Sequence, residues 1–321
     1  MAERNAAGQN VAGQNAAGQN VAGQNVAGQN VAGQNVAGQN VAGQNVAGQN
    51  VATARTRGGG RLGLRLLAVL YVGILVLVPL VLVVWRTFKN GFGTFFSALT
   101  DANTVHAFQL TGIVTVWAVV LNTVFGIGVA LLLARYRFPG RGLLSALVSL
   151  PVSISPIVVG LALILVYGPG GWFGSTLTDI GLGVVGTKIG IVLATVFVSL
   201  PLVVREVAPV LEEAGTEQEQ AAQSLGASAV QRFVRITLPT IKWAVAYGVV
   251  LSLARALGEF GAVLVVSGNI EGDTETATLR IDNLYEYVQK PGQAYAITFV
   301  LVAAAVLVIV AVTFIRPKQE T

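Results

Sequence analysis

The sequence predicts an all-α membrane protein, with six transmembrane helices, a helical insert between the fourth and fifth, and a disordered repeat arm in front. Three observations carry this reading. Of 321 residues, 54% are apolar and 11% charged, whereas a soluble domain carries about a quarter charged residues. Six apolar runs reach or approach the roughly 20 residues a helix needs to cross the hydrocarbon core. The chain also opens on a five-residue repeat unlike anything that follows it.

That repeat, V/A-A-G-Q-N, runs nine times from Ala6 to Asn50. Its only apolar side chains larger than Ala are isolated valines, so burial cannot offset the entropy of ordering. Residues 1–60 are therefore expected to be a low-complexity, disordered arm. A β-solenoid would need a bulkier residue inside each coil, although the Gln/Asn content permits self-association. The arm lacks the apolar core of a secretory signal.

Residues 61–321 carry the membrane domain. The expected spans are 64–84, 110–134, 143–167, 184–204, 241–265 and 294–315. The fourth is bounded by Lys188 and Arg205, and the fifth contains Arg255 and Glu259. With the N-terminus inside, fourteen Lys and Arg residues fall on inner segments and five on outer loops, with Arg255 inside a span. Positive residues favour the cytoplasmic side, so both termini are expected there. The +5 net charge then reports topology, and no nucleic-acid partner is called for. Trp85, Trp117, Trp172 and Trp243 read as interfacial anchors.

The chain has no cysteine, which excludes disulfides, thiolate metal sites and cysteine nucleophiles. One histidine, His106, excludes a histidine metal cluster, and it reads as a surface residue. No cofactor or metal is expected, and the residues for hydrolytic chemistry inside the membrane are missing.

The insert has its own grammar. Thr216 and Glu219 have capping-box spacing, as do Ser228 and Gln231. Gly226 can end the first helix in the left-handed conformation, and Pro239 is expected to stop the second. Ala229, Val230 and Phe233 form a small apolar face at helical spacing. Two short helices with a sharp bend result, either a knob for a partner's groove or an amphipathic loop packed under its own bundle.

Ala221-Ala222, three residues, Gly226, nine residues, then Ile236-Thr237-Leu238-Pro239 resemble the signature of permease subunits of ATP-binding cassette (ABC) importers. The signature's Glu falls on Gln220, with Glu219 one place early. The resemblance implies the type I importer permease fold. It makes Glu219, Gln220, Ala221, Ala222, Gly226, Ile236, Leu238 and Pro239 part of a cytoplasmic coupling loop, whose helix inserts into a cleft on an ATPase subunit, itself one of a dimer. Asn122-Thr123-Val124-Phe125-Gly126 and Leu150 to Pro156 resemble the second and third spans of sulfate and thiosulfate permeases, and Ala254-Arg255-Ala256-Leu257-Gly258-Glu259-Phe260-Gly261 resembles the W-type sulfate permease more than its T-type partner or the molybdate permease. The implied partners are the ATPase, a second permease of the T type, an extracytoplasmic sulfate-binding protein and membrane lipid. The implied function is ATP-coupled import of sulfate or thiosulfate, with molybdate, tungstate or another oxyanion as the alternative. Hydrolysis would belong to the partner ATPase, so this subunit is expected to be no enzyme.

Two candidate sets lie on the translocation path. Arg255 and Glu259 are four apart on one helix face, and charges at membrane depth usually face protein or a wet cavity. Arg255 either lends positive potential to an anion path or pairs with Glu259 and locks the helix. Ser153 and Ser155, between Pro151 and Pro156, either offer hydroxyls at a helix break or bond back to their own helix. Gly258 and Gly261 read as a close contact or a bend.

Overall fold

The computed structural model describes residues 58–315, with side chains for residues 63–311. The predicted arm therefore lies outside the described residues, except that Gly58 to Gly60 already begin a helix. Contacts divide the chain into Met1–Leu75 and Val76–Thr321. In the first unit the described side chains are those of a helix whose apolar residues, such as Leu64, Leu67 and Leu70, are exposed.

The described elements are helical. They are α1 (Gly58–Phe88), α2 (Phe92–Thr100), α3 (Ala102–Arg135), α4 (Arg141–Ser153), α5 (Pro156–Tyr167), α6 (Gly174–Asp179) and α7 (Lys188–Ala214). There follow α8 (Glu217–Ser224), α9 (Ala229–Arg232), α10 (Leu238–Leu257), α11 (Gly261–Val266), α12 (Ala277–Asp282) and α13 (Pro291–Ile315). Five-residue π-helical turns at Phe233–Thr237 and Asn283–Tyr287 continue α9 and α12.

Five stretches are long and apolar enough to cross a membrane: Gly63–Phe88, Ala102–Arg135, Lys188–Ala214, Ala229–Leu257 and Pro291–Ala311. The predicted continuous third span, 143–167, is instead two shorter helices, α4 and α5, parted at Ile154 and Ser155. Pro156 offers no N–H to continue the ladder of α4, yet fits the first turn of α5, where no donor is needed. The predicted fifth span, 241–265, also breaks, because α10 ends at Leu257 and α11 restarts at Gly261. His106 is half-buried rather than on the open surface. All four tryptophans are exposed, as interfacial anchoring requires.

The core is where α3, α7 and α10 meet. Ala130, Leu133, Val203, Val204, Val207, Leu211 and Ile241 form one buried apolar cluster. Two glycines set its spacing. A Cβ on Gly126 would lie 2.8 Å from both Cβ and Cγ1 of Val203, and one on Gly248 would lie 3.0 Å from Val203 Cα. Small residues of this kind let membrane helices approach, since lipid supplies little hydrophobic drive for association. Asn122 adds a polar clamp. Its amide donates to Ser199 Oγ on α7 (2.7 Å) and Ser252 Oγ on α10 (3.1 Å), and all three residues are buried.

At the end of α3 away from the insert, Arg280 gathers three carboxylates. It lies 3.2 Å from Asp101, 2.6 Å from Glu271 and 3.5 Å from Glu275, and is itself buried. Asp101 also caps α3, accepting from the Thr104 N–H and hydroxyl at 3.1 Å each. Burial works to raise the Asp101 carboxyl, but the Thr104 bonds and the Arg280 charge hold it below its ordinary value. Glu275 goes the other way. Burial pushes it up, and the Asn283 hydrogen bond and Arg280 oppose that only in part.

Two outcomes follow from this packing. Gly126→Val is expected to cost about 1–3 kcal/mol of overpacking, read as a lower melting temperature of the detergent-solubilised protein. A wild-type melting curve would show that α3 and α7 have room to part. Around Arg280, Glu275, with its raised value, stabilises the fold at acidic pH and loses that contribution as pH rises. Asp101, with its lowered value, contributes above the usual carboxylate range and loses it only in strong acid. Arg280→Gln removes the compensating charge, so its melting temperature should fall more at pH 7 than at pH 5. An equal fall at both would mean that Arg280 acts by packing alone.

Candidate functional site

The two broken helices meet at their breaks. A Cβ on Gly261, the first residue of α11, would lie 3.1 Å from Pro156 Cβ and 3.2 Å from Ile157 Cγ1 at the start of α5. Along the same interface, a Cβ on Gly160 would lie 2.8 Å from Val265 Cβ and 2.9 Å from the Ala262 carbonyl oxygen. Both predicted path sets are thus carried by the two breaks. Gly261 makes the close contact; a Cβ on Gly258 would come no closer than 4.0 Å, to the Ala254 carbonyl oxygen, and Gly258 sits at the bend.

At the first break, Ser153 ends α4 and Ser155 precedes α5, and both are exposed. Neither hydroxyl caps or bonds back to a helix among the described residues. At the second break, Glu259 is buried and paired. One oxygen accepts from the Ala262 N–H at 2.9 Å, which caps α11, and the other lies 2.6 Å from Arg255 Nη1. Its backbone carbonyl accepts from the Thr278 hydroxyl at 2.8 Å, tying in α12. Of the two readings of Arg255, the structure shows the pair. The Arg255 side chain nevertheless remains 35% exposed. Charge and countercharge cancel at the break, and the hydroxyls supply polarity without net charge.

The second candidate site is the insert from Thr216 to Thr237. Its bend forms as expected, with Gly226 at φ +85° and the Ala227 N–H donating to the Ala222 carbonyl at 3.0 Å. The capping box at Ser228 and Gln231 is present. The one expected at Thr216 and Glu219 is not, and the reason is electrostatic. Glu219 faces the bundle, where its Oε1 accepts from Arg135 Nη2 (3.1 Å) and the Thr237 hydroxyl (2.9 Å), a stronger pairing than a cap. Thr216 accepts from the Gln220 side chain instead, at 2.9 Å. Gln220, at the signature's Glu position, therefore lies on the exposed side, and Glu219 does not substitute for it there.

Pro239 does not stop the second helix. It falls in the first turn of α10, and the wider π turn before it carries the chain through, with the Leu238 N–H bonding the Phe233 carbonyl five residues back. The wider turn accommodates the proline ring and its missing donor. Ile236, Leu238 and Pro239 thus belong to one continuous helical path from the insert into a span. Exposed apolar groups concentrate at the bend: Leu225 is 89%, Val230 72% and Val234 52% exposed. Val234 takes the place expected of Phe233, which is half-buried. Arg232 closes the knob by donating to the Gln223 side chain across the bend.

Three features were missed by sequence reasoning: the Asn122 clamp, the Arg280 cluster and the turning of Glu219 onto Arg135. The available signals were an Asn inside an apolar run and an Arg at its end. For the Arg255 pair the expected outcome is sharp. Arg255→Met leaves Glu259 buried without its partner and should destabilise, though by less than the roughly 3–5 kcal/mol of a fully buried pair. Arg255→Met with Glu259→Gln keeps a cap for Ala262 and should recover part of the loss in thermal melts. A double variant as unstable as the single would contradict this account.

A family model described as binding-protein-dependent transport system inner membrane component matches residues 123–321. The sulfate transport system permease protein CysW of Synechococcus elongatus is 47% identical over 70% of this chain and 78% of its own. CysW of Escherichia coli K12 is 41% identical over 77% and 82%, and CysT of the same organism is 38% identical over 78% and 90%. Among solved structures, a bacterial ABC transporter involved in import of the acidic polysaccharide alginate superposes with a TM-score of 0.67. It is 19% identical and covers 81% of this chain and 94% of its own. A sequence match of this extent, on a fold of paired broken helices with a helical insert, leaves one conclusion: the chain belongs to the binding-protein-dependent transport system inner membrane components, the multi-pass permease subunits of ABC transporters.

Proposed function

We propose that this chain is the W-type permease subunit of an ATP-driven importer that moves sulfate or thiosulfate into the cytoplasm. The reading rests on its 41–47% identity to CysW proteins over 70–77% of its length. Need for ATP follows from electrostatics. A dianion entering a cell with an inside-negative potential of about 100 mV works against about 5 kcal/mol, so a passive pore would let sulfate out.

The excess of cations on one set of loops supports a topology with both termini and the insert in the cytoplasm. There the exposed Leu225, Val230 and Val234 form the apolar tip that enters a cleft on an ATPase subunit, one of a dimer. Closure of the ATPases on ATP draws the inserts together and turns the cavity toward an extracytoplasmic sulfate-binding protein. A T-type permease supplies the other half of the pathway, and lipid surrounds the pair. The path itself passes the two helix breaks, where Ser153 and Ser155 offer hydroxyls to oxyanion oxygens. Because Arg255 is paired with Glu259, the break carries no net charge and holds no deep trap for a dianion. Selection then rests on the binding protein, and transit stays fast.

The test is ATP-dependent uptake of radiolabelled sulfate by cells lacking this subunit, with and without its return, competed by thiosulfate and by molybdate. Restored uptake that thiosulfate blocks better than molybdate is the expected result; unrestored uptake, or stronger block by molybdate, moves the substrate to another oxyanion. Two variants address docking. Leu225→Asp should abolish co-purification of the ATPase. Gly226→Val should impair uptake by forcing a β-branched residue into a left-handed position that costs about 1–2 kcal/mol. Normal uptake by both would remove the insert from the coupling path.

A further inference from the structure

We infer that Arg135 is a positioning residue for energy coupling, the point through which displacement of the insert is imposed on the transmembrane bundle. The inference rests on the docking role proposed above for the insert.

The geometry is that of a single tie with three ends. Arg135 is the last residue of α3, and its side chain is 11% exposed. Nη1 donates to the Leu211 carbonyl at 2.7 Å, in the last turn of α7. Nη2 donates to Glu219 at 3.1 Å, in the first turn of α8, and the same carboxylate oxygen accepts from the Thr237 hydroxyl at 2.9 Å. The insert leaves the bundle after Ala214 and returns through Thr237 to Leu238. Its exit and its return therefore converge on one ion pair, Thr237 reaching Arg135 through the shared Glu219 oxygen.

Each end is placed where it binds well. The final carbonyls of a helix lack partners within it, and the C-terminus favours a cation, which Arg135 supplies to α7. The N-terminus of α8 favours an anion, which is Glu219. The far side of the tie is rigid. Leu211 is wholly buried in the α3–α7–α10 core beside Leu133 and Ile241, so its carbonyl moves only with that core.

Without the tie, the insert would hang on two compliant joints. One is Gly215, at φ +66° between α7 and α8. The other is the π turn at Phe233–Thr237. A push on the exposed tip at Leu225 and Val230 would flex these joints and be absorbed there. With the tie, both joints are bridged, and the push is carried to α3 and α7. Lysine cannot replace this arginine in full, because one ammonium lacks the planar fork that serves two acceptors at fixed angles.

The experiment uses the complete importer in liposomes, this subunit with its partner permease and ATPase, supplied with sulfate-loaded binding protein. ATP hydrolysed and sulfate taken up are measured together, with the amount of ATPase co-purified as the assembly control. Arg135→Met, Glu219→Met, the double variant and Arg135→Lys are compared. The expected result is wild-type assembly and hydrolysis with sulfate per ATP reduced about five- to tenfold, the low end of a typical coupling energy. The single variants and the double should match, since all cut one link, and Arg135→Lys should fall between them and wild type. Wild-type sulfate per ATP in Arg135→Met, or single losses that multiply in the double, would overturn the inference. If Arg135→Met does not assemble, Glu219→Met alone decides, because it leaves the Arg135–Leu211 bond in place. Leu225→Asp separates the two layers: loss of ATPase capture there beside full coupling in Arg135→Met defeats only the tie, whereas full capture and uptake in Leu225→Asp defeats the docking role beneath it.

Discussion

Val203 has a helix against it on two sides, and neither neighbour has a side chain where they touch. Gly126 of α3 and Gly248 of α10 close on it to distances that even one added carbon would violate. Lipid is as apolar as leucine, so the association of these spans depends on close packing and interhelical hydrogen bonds. Here Asn122 supplies the latter, reaching Ser199 and Ser252 at once. Everything with a functional reading hangs from this junction. The same α3 and α7 that meet at Val203 carry Arg135 as the last residue of α3 and Leu211 in the last turn of α7, where the insert is tied. The other end of α3 begins at Asp101, where Arg280 fastens the segment that follows α11.

Around that rigid junction the chain places its irregular backbone. In hydrocarbon each free N–H or C=O is costly, so broken helices persist only where protein or a wet cavity receives them. The break at Ile154–Ser155 and the break at Gly258–Phe260 satisfy the condition by facing each other, with Gly261 against Pro156. Glu259 repairs one of them, capping α11 with one oxygen and holding Arg255 with the other. The remaining polarity at the junction of breaks is two exposed serine hydroxyls, Ser153 and Ser155.

The arginines divide the mechanical labour. Arg280 anchors one end of the bundle, Arg255 neutralises a buried glutamate at the break, and Arg135 holds the insert to the bundle at the other end. None is free to act as an isolated anion ligand in this arrangement. In each case a carboxylate from a different turn or element sets where the guanidinium points.

Most of the apolar spans, the insert and its bend were legible in the amino-acid order because they depend on local chemistry, whereas two expected spans, 143–167 and 241–265, are each divided in the structure. Apolar length marks a span, Gly226 marks a left-handed turn, and Ser228 with Gln231 marks a helix start. The signature spacing from Ala221 to Pro239 placed the insert in its family for the same reason. Local rules failed where a distant partner outbid them. Glu219 left its capping box for Arg135, which stands 84 positions away. Pro239 stayed helical because a π turn made room for it. Arg255 and Glu259 were legible as neighbours but not as a closed pair, since only burial of Glu259 and its bond to Ala262 decide that. The sequence by itself determined which stretches are apolar enough to cross a membrane and where the polar insert falls between them. The tertiary structure decided which breaks face each other and which arginine holds which carboxylate, because those outcomes turn on helix packing at glycines that any apolar run would tolerate.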